Sequence, residues 1–206
     1  MTETTTSAGS SGSPSGSGTD PRGGLLKAVE LAGRIVADVR PDEYGAATPC
    51  PEYTVRDLCH HLVSVVRRLT VMGTGGDFFS VPHFAEDVAD GEWSVAWAAA
   101  AKELTAVWSD PAVLGRRIGL PWGPVPGAAN AVIYTNELVL HTWDIAKATG
   151  RSPQWDPEVL AGPLAHMHEA VPAEPRTPPV PFGPVVEVPD DAPDIDRLVG
   201  WYGRRP

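Results

Sequence analysis

The sequence predicts an all-α protein, a four-helix bundle with long crossover loops and short C-terminal helices. Two observations carry that reading. Apolar residues recur with a period near 3.6 through four long stretches of the 206-residue chain, while strand-like alternation is confined to short runs. Breakers close those stretches: Pro41 after the first, Gly73, Gly75 and Gly76 after the second, and Gly150 after the fourth. Four long helices with a long crossover imply an up-down bundle, an architecture that hosts sites on its facing helices.

Residues 1–22 read as a flexible N-terminal arm, because "TETTTSAGSSGSPSGSGTD" lacks aromatic and large aliphatic side chains. The arm also lacks the basic start and apolar stretch of a secretory signal. Residues 23–206 are then expected to form a single domain, long enough to bury a core. In "GGLLKAVELAGRIVADVRPDEY", Leu25, Leu26, Val29, Ala32, Ile35, Val36 and Val39 follow helical spacing. Pro49 and Pro51 mark a turn. Thr54 and Asp57 then form a capping-box-like start to a second helix through Leu58, Leu62, Val65 and Leu69.

A third helix is expected from Ser94 to Trp108, rich in alanine, with Trp97, Leu104 and Trp108 on one side. Residues 109–127 contain "GRRIGLPWGPVPG" and should be irregular or extended, since glycine and proline forbid a long helix there. The fourth helix covers about residues 128–149. A shorter helix within "SPQWDPEVLAGPLAHMHEAV" is expected to break near Gly162-Pro163. A proline-rich passage leads to the closing helix "DIDRLVGWY".

The formal net charge of −10 argues against a nucleic-acid partner. No stretch approaches the roughly 18–20 apolar residues of a membrane span, so a soluble, cytoplasmic protein is expected. Cys50 and Cys59 have no metal-finger spacing and are expected to be reduced thiols.

Chemistry concentrates in "NELVLHTWDIAKATG", residues 136–150. Its apolar residues would seat it in a core, yet it carries Glu137, His141 and Asp144. Glu137 and His141 are four apart and share a helical face. If the second and fourth helices face each other, His60 or His61 of "CHHL" joins them. Two imidazoles and one carboxylate are a common ligand set for a divalent transition metal, and three protein ligands leave a position open. A plain Glu–His hydrogen bond is the alternative from spacing alone.

These segments also carry a family likeness. "TPCPEYTVRDLCHHLV" and "NELVLHTWDIAKATG" resemble two motifs of the DinB-like, mycothiol-dependent maleylpyruvate isomerase N-terminal family. "FGPVVEVPDDAPDIDRLVGWYGR" resembles the tail of that family's actinobacterial metal-binding branch, so the likeness spans roughly residues 24–205. It implies a DinB-like bundle and selects His61 over His60, giving His61, Glu137 and His141 as metal ligands. It further implies zinc, with nickel or iron as alternatives, and mycothiol as thiol co-substrate of a transferase or isomerase. The content of 13 Arg against 3 Lys suits a GC-rich actinobacterial host.

Asp144 is expected to orient His141 or to pair with Arg56, with the structural role favoured. Arg68, seven residues beyond His61, shares its helical face and can meet an anionic substrate group; exposure at the surface is its plainer expectation. "RRIGLPWGPVPG" is a lid candidate with Trp122 as its aromatic contact. No residue is singled out as catalytic. The partners implied are a small-molecule thiol and an unknown electrophile, and a homodimer is compatible with the sequence. The C-terminal part looks too short for a separate second isomerase domain, which leaves a thiol-dependent transfer or isomerisation as the expectation. A metal-stabilised bundle that binds a ligand or protein without catalysis is the alternative. Non-haem iron oxygenases also use two histidines and a carboxylate, on different scaffolds.

Overall fold

The computed structural model describes residues 20–176 and 182–206. The expected arm over residues 1–22 lies outside them except for its last three residues, and Arg22 already opens the first helix. Four long helices form the body: α1 (Arg22–Ala37), α2 (Val55–Gly73), α3 (Trp93–Trp108) and α4 (Gly127–Ala148). Two shorter helices, α5 (Pro157–Ala170) and α6 (Asp194–Trp201), follow. Among the described residues the fold is helical apart from one small antiparallel hairpin and an isolated bridge, as expected.

The α2 start is built as its sequence requires. The Thr54 hydroxyl accepts from the Asp57 amide at 3.3 Å, and the Asp57 carboxylate accepts from the Thr54 amide at 2.8 Å. Gly150, with φ of +68°, ends α4 in the left-handed conformation that a Cβ disfavours. The segment between α3 and α4 holds a short 3-10 turn, Pro111–Gly115, followed by β1 (Arg117–Leu120) and β2 (Gly123–Pro126). The strands pair Arg117 with Pro126 and Leu120 with Gly123, leaving Pro121 and Trp122 as the tip.

α1 and α2 each touch both α3 and α4. Helix directions are up, down, down, up rather than strictly alternating. His60 meets Trp93 at the starts of α2 and α3, and the Trp108 indole N–H donates to the Leu69 carbonyl near their ends, so these neighbours run parallel. The connection over 74–92 is therefore the long crossover, which carries the chain back along the bundle. Arg22 at the start of α1 donates to the Ser109 carbonyl just after α3, so α1 and α3 are opposed.

The core lies between the four helices, with Leu58, Leu62, Leu69, Trp108, Leu138 and Ile145 fully buried. Each contributes roughly 1.5–3 kcal/mol of burial. At Gly33 a Cβ would collide with the Trp97 indole, so glycine is what lets α3 come close to α1 there.

α5 corrects one expectation. It runs unbroken through Pro163, which is buried within it. Val159, Leu160 and Met167 pack into the core, and this tertiary burial outweighs the hydrogen bond that proline removes. α6 packs on α5, and just beyond it the tail turns inward. Arg204 donates to both Asp144 carboxylate oxygens, Nε at 2.8 Å and Nη2 at 2.7 Å.

Two polar ties fix the C-terminal part of α4. At its C-terminal end Arg151 grips Glu43 with Nη1 at 3.0 Å and Nη2 at 2.9 Å. The Arg151 guanidinium holds the Glu43 carboxyl below the ordinary carboxylate range, against the opposing effect of burial. A depressed carboxyl stabilises the fold above its unfolded pKa and loses that contribution as pH falls through its folded value. Glu43→Gln is therefore expected to cost about 1–3 kcal/mol at neutral pH, with the gap to the parent closing below about pH 4, the usual glutamate range; urea melts across pH measure it. Arg204→Ala, which strips the buried Asp144 of its cation, should cost about 3–5 kcal/mol in the same assay.

Candidate metal centre

α2 and α4 face each other in opposite directions, and the seam between them brings His61 to Glu137 and His141. His61 follows Leu58 by three residues and precedes Leu62, so the stripe that buries α2 carries the imidazole inward. On α4, Glu137 and His141 are one turn apart beside the buried Leu138 and Leu140. His61 Nε2 lies 2.9 Å from Glu137 Oε1, and His141 Nε2 lies 3.5 Å from the same oxygen. One ligand atom from each of the three residues falls within 4.8 Å of the other two. Both histidines are buried and Glu137 is partly buried.

The other ring nitrogens are also engaged. His61 Nδ1 lies 3.2 Å from the His83 backbone carbonyl, and His141 Nδ1 lies 3.1 Å from Asp144 Oδ2. Both of those partners are acceptors, so in a neutral ring Nδ1 carries the hydrogen and Nε2 carries a lone pair. Two Nε2 lone pairs then converge on a carboxylate oxygen, an arrangement that needs a positive charge between them. The donor set and its outer hydrogen bonds fit a divalent transition metal.

Without such a cation, protons take its place. Burial would depress His141, but the Glu137 and Asp144 carboxylates push it up to about 9. Burial likewise opposes ionisation of Glu137, yet the two imidazoles hold it well below the ordinary carboxylate range.

Of the two alternatives expected for Asp144, the contact with His141 is present and the pairing with Arg56 is not. Asp144 receives the His141 ring and is neutralised by Arg204, not Arg56. Arg56 sits on the exposed flank of α2, pairing with Asp90 at 3.0 Å and stacking over Tyr44, so it does not reach the α4 carboxylate. His60 also stays out of the cluster, bonding the Ala85 carbonyl at 2.9 Å and Asp90 at 3.2 Å. Arg68 departs from the surface expectation: it is only 5% exposed, because α2 turns it under the crossover segment. Trp122 stands 68% exposed at the hairpin tip.

Among the described residues, the aromatic rings beside the cluster are instead Tyr53, His83 and Phe84, from the segments before and after α2. Tyr53 stacks on His61 with centroids 5.9 Å apart, and its hydroxyl lies 2.8 Å from His83 Nε2. The His83 ring is 4.5 Å from the His61 ring, and Phe84 meets the edges of both. Sequence reasoning missed Tyr53, His83, Phe84 and Arg204, since loop and tail residues carry no periodic signal. Cys50 also approaches, forming a second close group with His141 and Asp144. Arg204 already holds both Asp144 carboxylate oxygens, so this group is the poorer metal cage.

Comparison with known proteins agrees with this architecture. The family model for the mycothiol maleylpyruvate isomerase N-terminal domain matches residues 25–146. An uncharacterized protein found in two strains of Mycobacterium tuberculosis is 31% identical over 185 residues, which span 90% of this chain and 98% of the relative. Among solved structures, a mutant of the mycothiol-dependent maleylpyruvate isomerase aligns with a TM-score of 0.52 at 11% identity. That alignment covers 71% of this chain and 68% of the other, and it is a likeness of fold. The family match runs from α1 almost to the end of α4 and includes His61, Glu137, His141 and Asp144. The chain belongs to the mycothiol maleylpyruvate isomerase N-terminal domain family.

Proposed function

We propose that the protein is a thiol-dependent transferase or isomerase of the cytoplasm. In this reading it binds one divalent metal, zinc first and nickel or iron next, through His61 Nε2, His141 Nε2 and Glu137. The observation that carries the reading is the convergence of two imidazole nitrogens on one carboxylate oxygen while both Nδ1 atoms are held by acceptors. A bound divalent cation supplies the positive charge that favours a thiolate over a thiol at neutral pH. Family membership makes mycothiol the thiol of choice.

The chain's own residues define the rest. Asp144 and the His83 carbonyl hold the two rings by their Nδ1 hydrogens, fixing tautomer and direction. Arg204 keeps Asp144 charged within the apolar seam. Tyr53, His83 and Phe84 wall the cluster with aromatic surface, limiting water beside it.

The first test is metal loading. One zinc per chain is expected, with a rise in melting temperature of roughly 5–15 °C at saturating zinc. His61→Ala should abolish both the uptake and the rise; a parent protein that takes up no metal refutes the reading. Calorimetric titration of the zinc-loaded protein with mycothiol should give heat that Glu137→Ala loses. Absence of heat with a loaded site would remove the thiol from the proposal and leave a metal-binding bundle.

A further inference from the structure

The side of the bundle away from the metal cluster is apolar where a surface is ordinarily charged. Because α1 and α2 each touch both α3 and α4, the α1–α3 seam lies opposite the α2–α4 seam. α3 carries two charges in its 16 residues, Lys102 and Glu103, and much of its outward face is Val95, Ala98, Ala99 and Ala106. A surface helix normally turns a charged stripe to water, and one that is apolar around most of its circumference is normally covered by a neighbour. Helix propensity alone accounts for exposed alanine, but not for the β-branched Val95, which is 70% exposed.

Beside that face a groove of about 730 Å³ runs between α1 and α3. Leu26, Val29 and Trp97 give it an apolar lining, and Gly33, Ala98 and Ala101 keep its walls low. The segment before α1 is no candidate to fill it, since residues 2–20 hold no large apolar side chain.

The charges on this face cancel. Glu30 and Arg34 pair along α1 at 2.5 Å, Lys102 and Glu103 are neighbours on α3, and Lys27 is drawn aside to Asp156 and Glu158. The chain as a whole stands at −10, so its surface at large repels a second copy. The α1–α3 face does not. Turned over by a two-fold axis, it can set the cations of one copy toward the glutamates of the other.

We propose that the α1–α3 face is a homodimer interface, on which a second copy of this chain lays its own α1 and α3 so that the two apolar grooves close on each other. Two helices from each copy then enclose Val95 and the alanines in an intermolecular four-helix bundle. Each of these helices has 16 residues. At about 24 Å in length and about 8–10 Å between axes, the pair offers a footprint of roughly 500 Å² per copy. That is the low end for a specific interface and predicts a reversible dimer with a Kd on the order of micromolar. Both α2–α4 seams face away from the interface, so the association does not depend on metal.

Sedimentation velocity on the full-length protein, zinc-loaded and chelator-treated, should show the same monomer–dimer equilibrium between about 1 and 100 μM. Ala99→Glu puts a carboxylate at the centre of the face, and Val95→Glu does so one turn away. Each should raise the dissociation constant about tenfold or more, through like charges brought together across the axis. Both positions face solvent within one copy, so the far-UV spectrum and zinc uptake of the variants should match the parent. Hydrogen-exchange protection that grows with concentration should fall on α1 and α3.

A chain that stays monomeric at 100 μM overturns the interface, and so does a dimer that both variants leave intact or whose protection falls elsewhere. Dimerisation only in the zinc-loaded protein would mean a metal-bridged contact and overturns it as well. A monomer that still takes up zinc refutes the interface alone, whereas a dimer that takes up none refutes the metal reading alone.

Discussion

Asp144 has no exposed surface and sits in the most apolar part of α4, so the structure around it is governed by how that charge is neutralised. An ionised carboxylate in such a place needs a cation and hydrogen bonds on both oxygens. Arg204 supplies the cation from the far end of the chain, and this tie draws the tail back onto the bundle. The remaining capacity of Asp144 Oδ2 goes to His141 Nδ1, which turns the other ring nitrogen toward Glu137. The His61–Glu137–His141 cluster is therefore the inner end of a chain of polar contacts that begins at Arg204.

The bundle's topology sets the second condition. Because α2 and α3 run parallel, the chain must cross back over residues 74–92, and that crossover lies over the α2–α4 seam. It delivers the His83 carbonyl to His61, the His83 ring to Tyr53, and the Val81 and Pro82 carbonyls to Arg68. A strictly alternating bundle would need only a short turn there and would leave the seam uncovered. The fold thus provides rigid helices for the ligands and a wrapped segment for the walls of the site.

The helices and the Glu137–His141 pair were legible in the sequence because they obey helical periodicity, whereas the choice of His61 over His60 came from the family likeness. Glu137 and His141 at a spacing of four must share a face, and the Thr54–Asp57 cap pins the start of α2, which sets where His61 points. What escaped the sequence depends on contacts between distant segments. Arg204 meets Asp144 across sixty residues, and the sequence offered Arg56 in its place, which the structure gives to Asp90. Arg68 looked like a surface charge because burial of a lone cation is the exception. Its cover, the crossover segment, has no periodicity to reveal where it lies. Pro163 misled for a related reason: its local cost is real, but burial of Val159, Leu160 and Met167 outweighs it.

Zinc-edge X-ray absorption on the loaded protein tests the central claim most directly. The account requires two imidazole nitrogens at about 2.0–2.1 Å, with carboxylate or water oxygen completing a light-atom shell. A sulfur neighbour at about 2.3 Å would place the ion at Cys50 with His141 and Asp144 instead, and a shell without imidazole would contradict the triad outright.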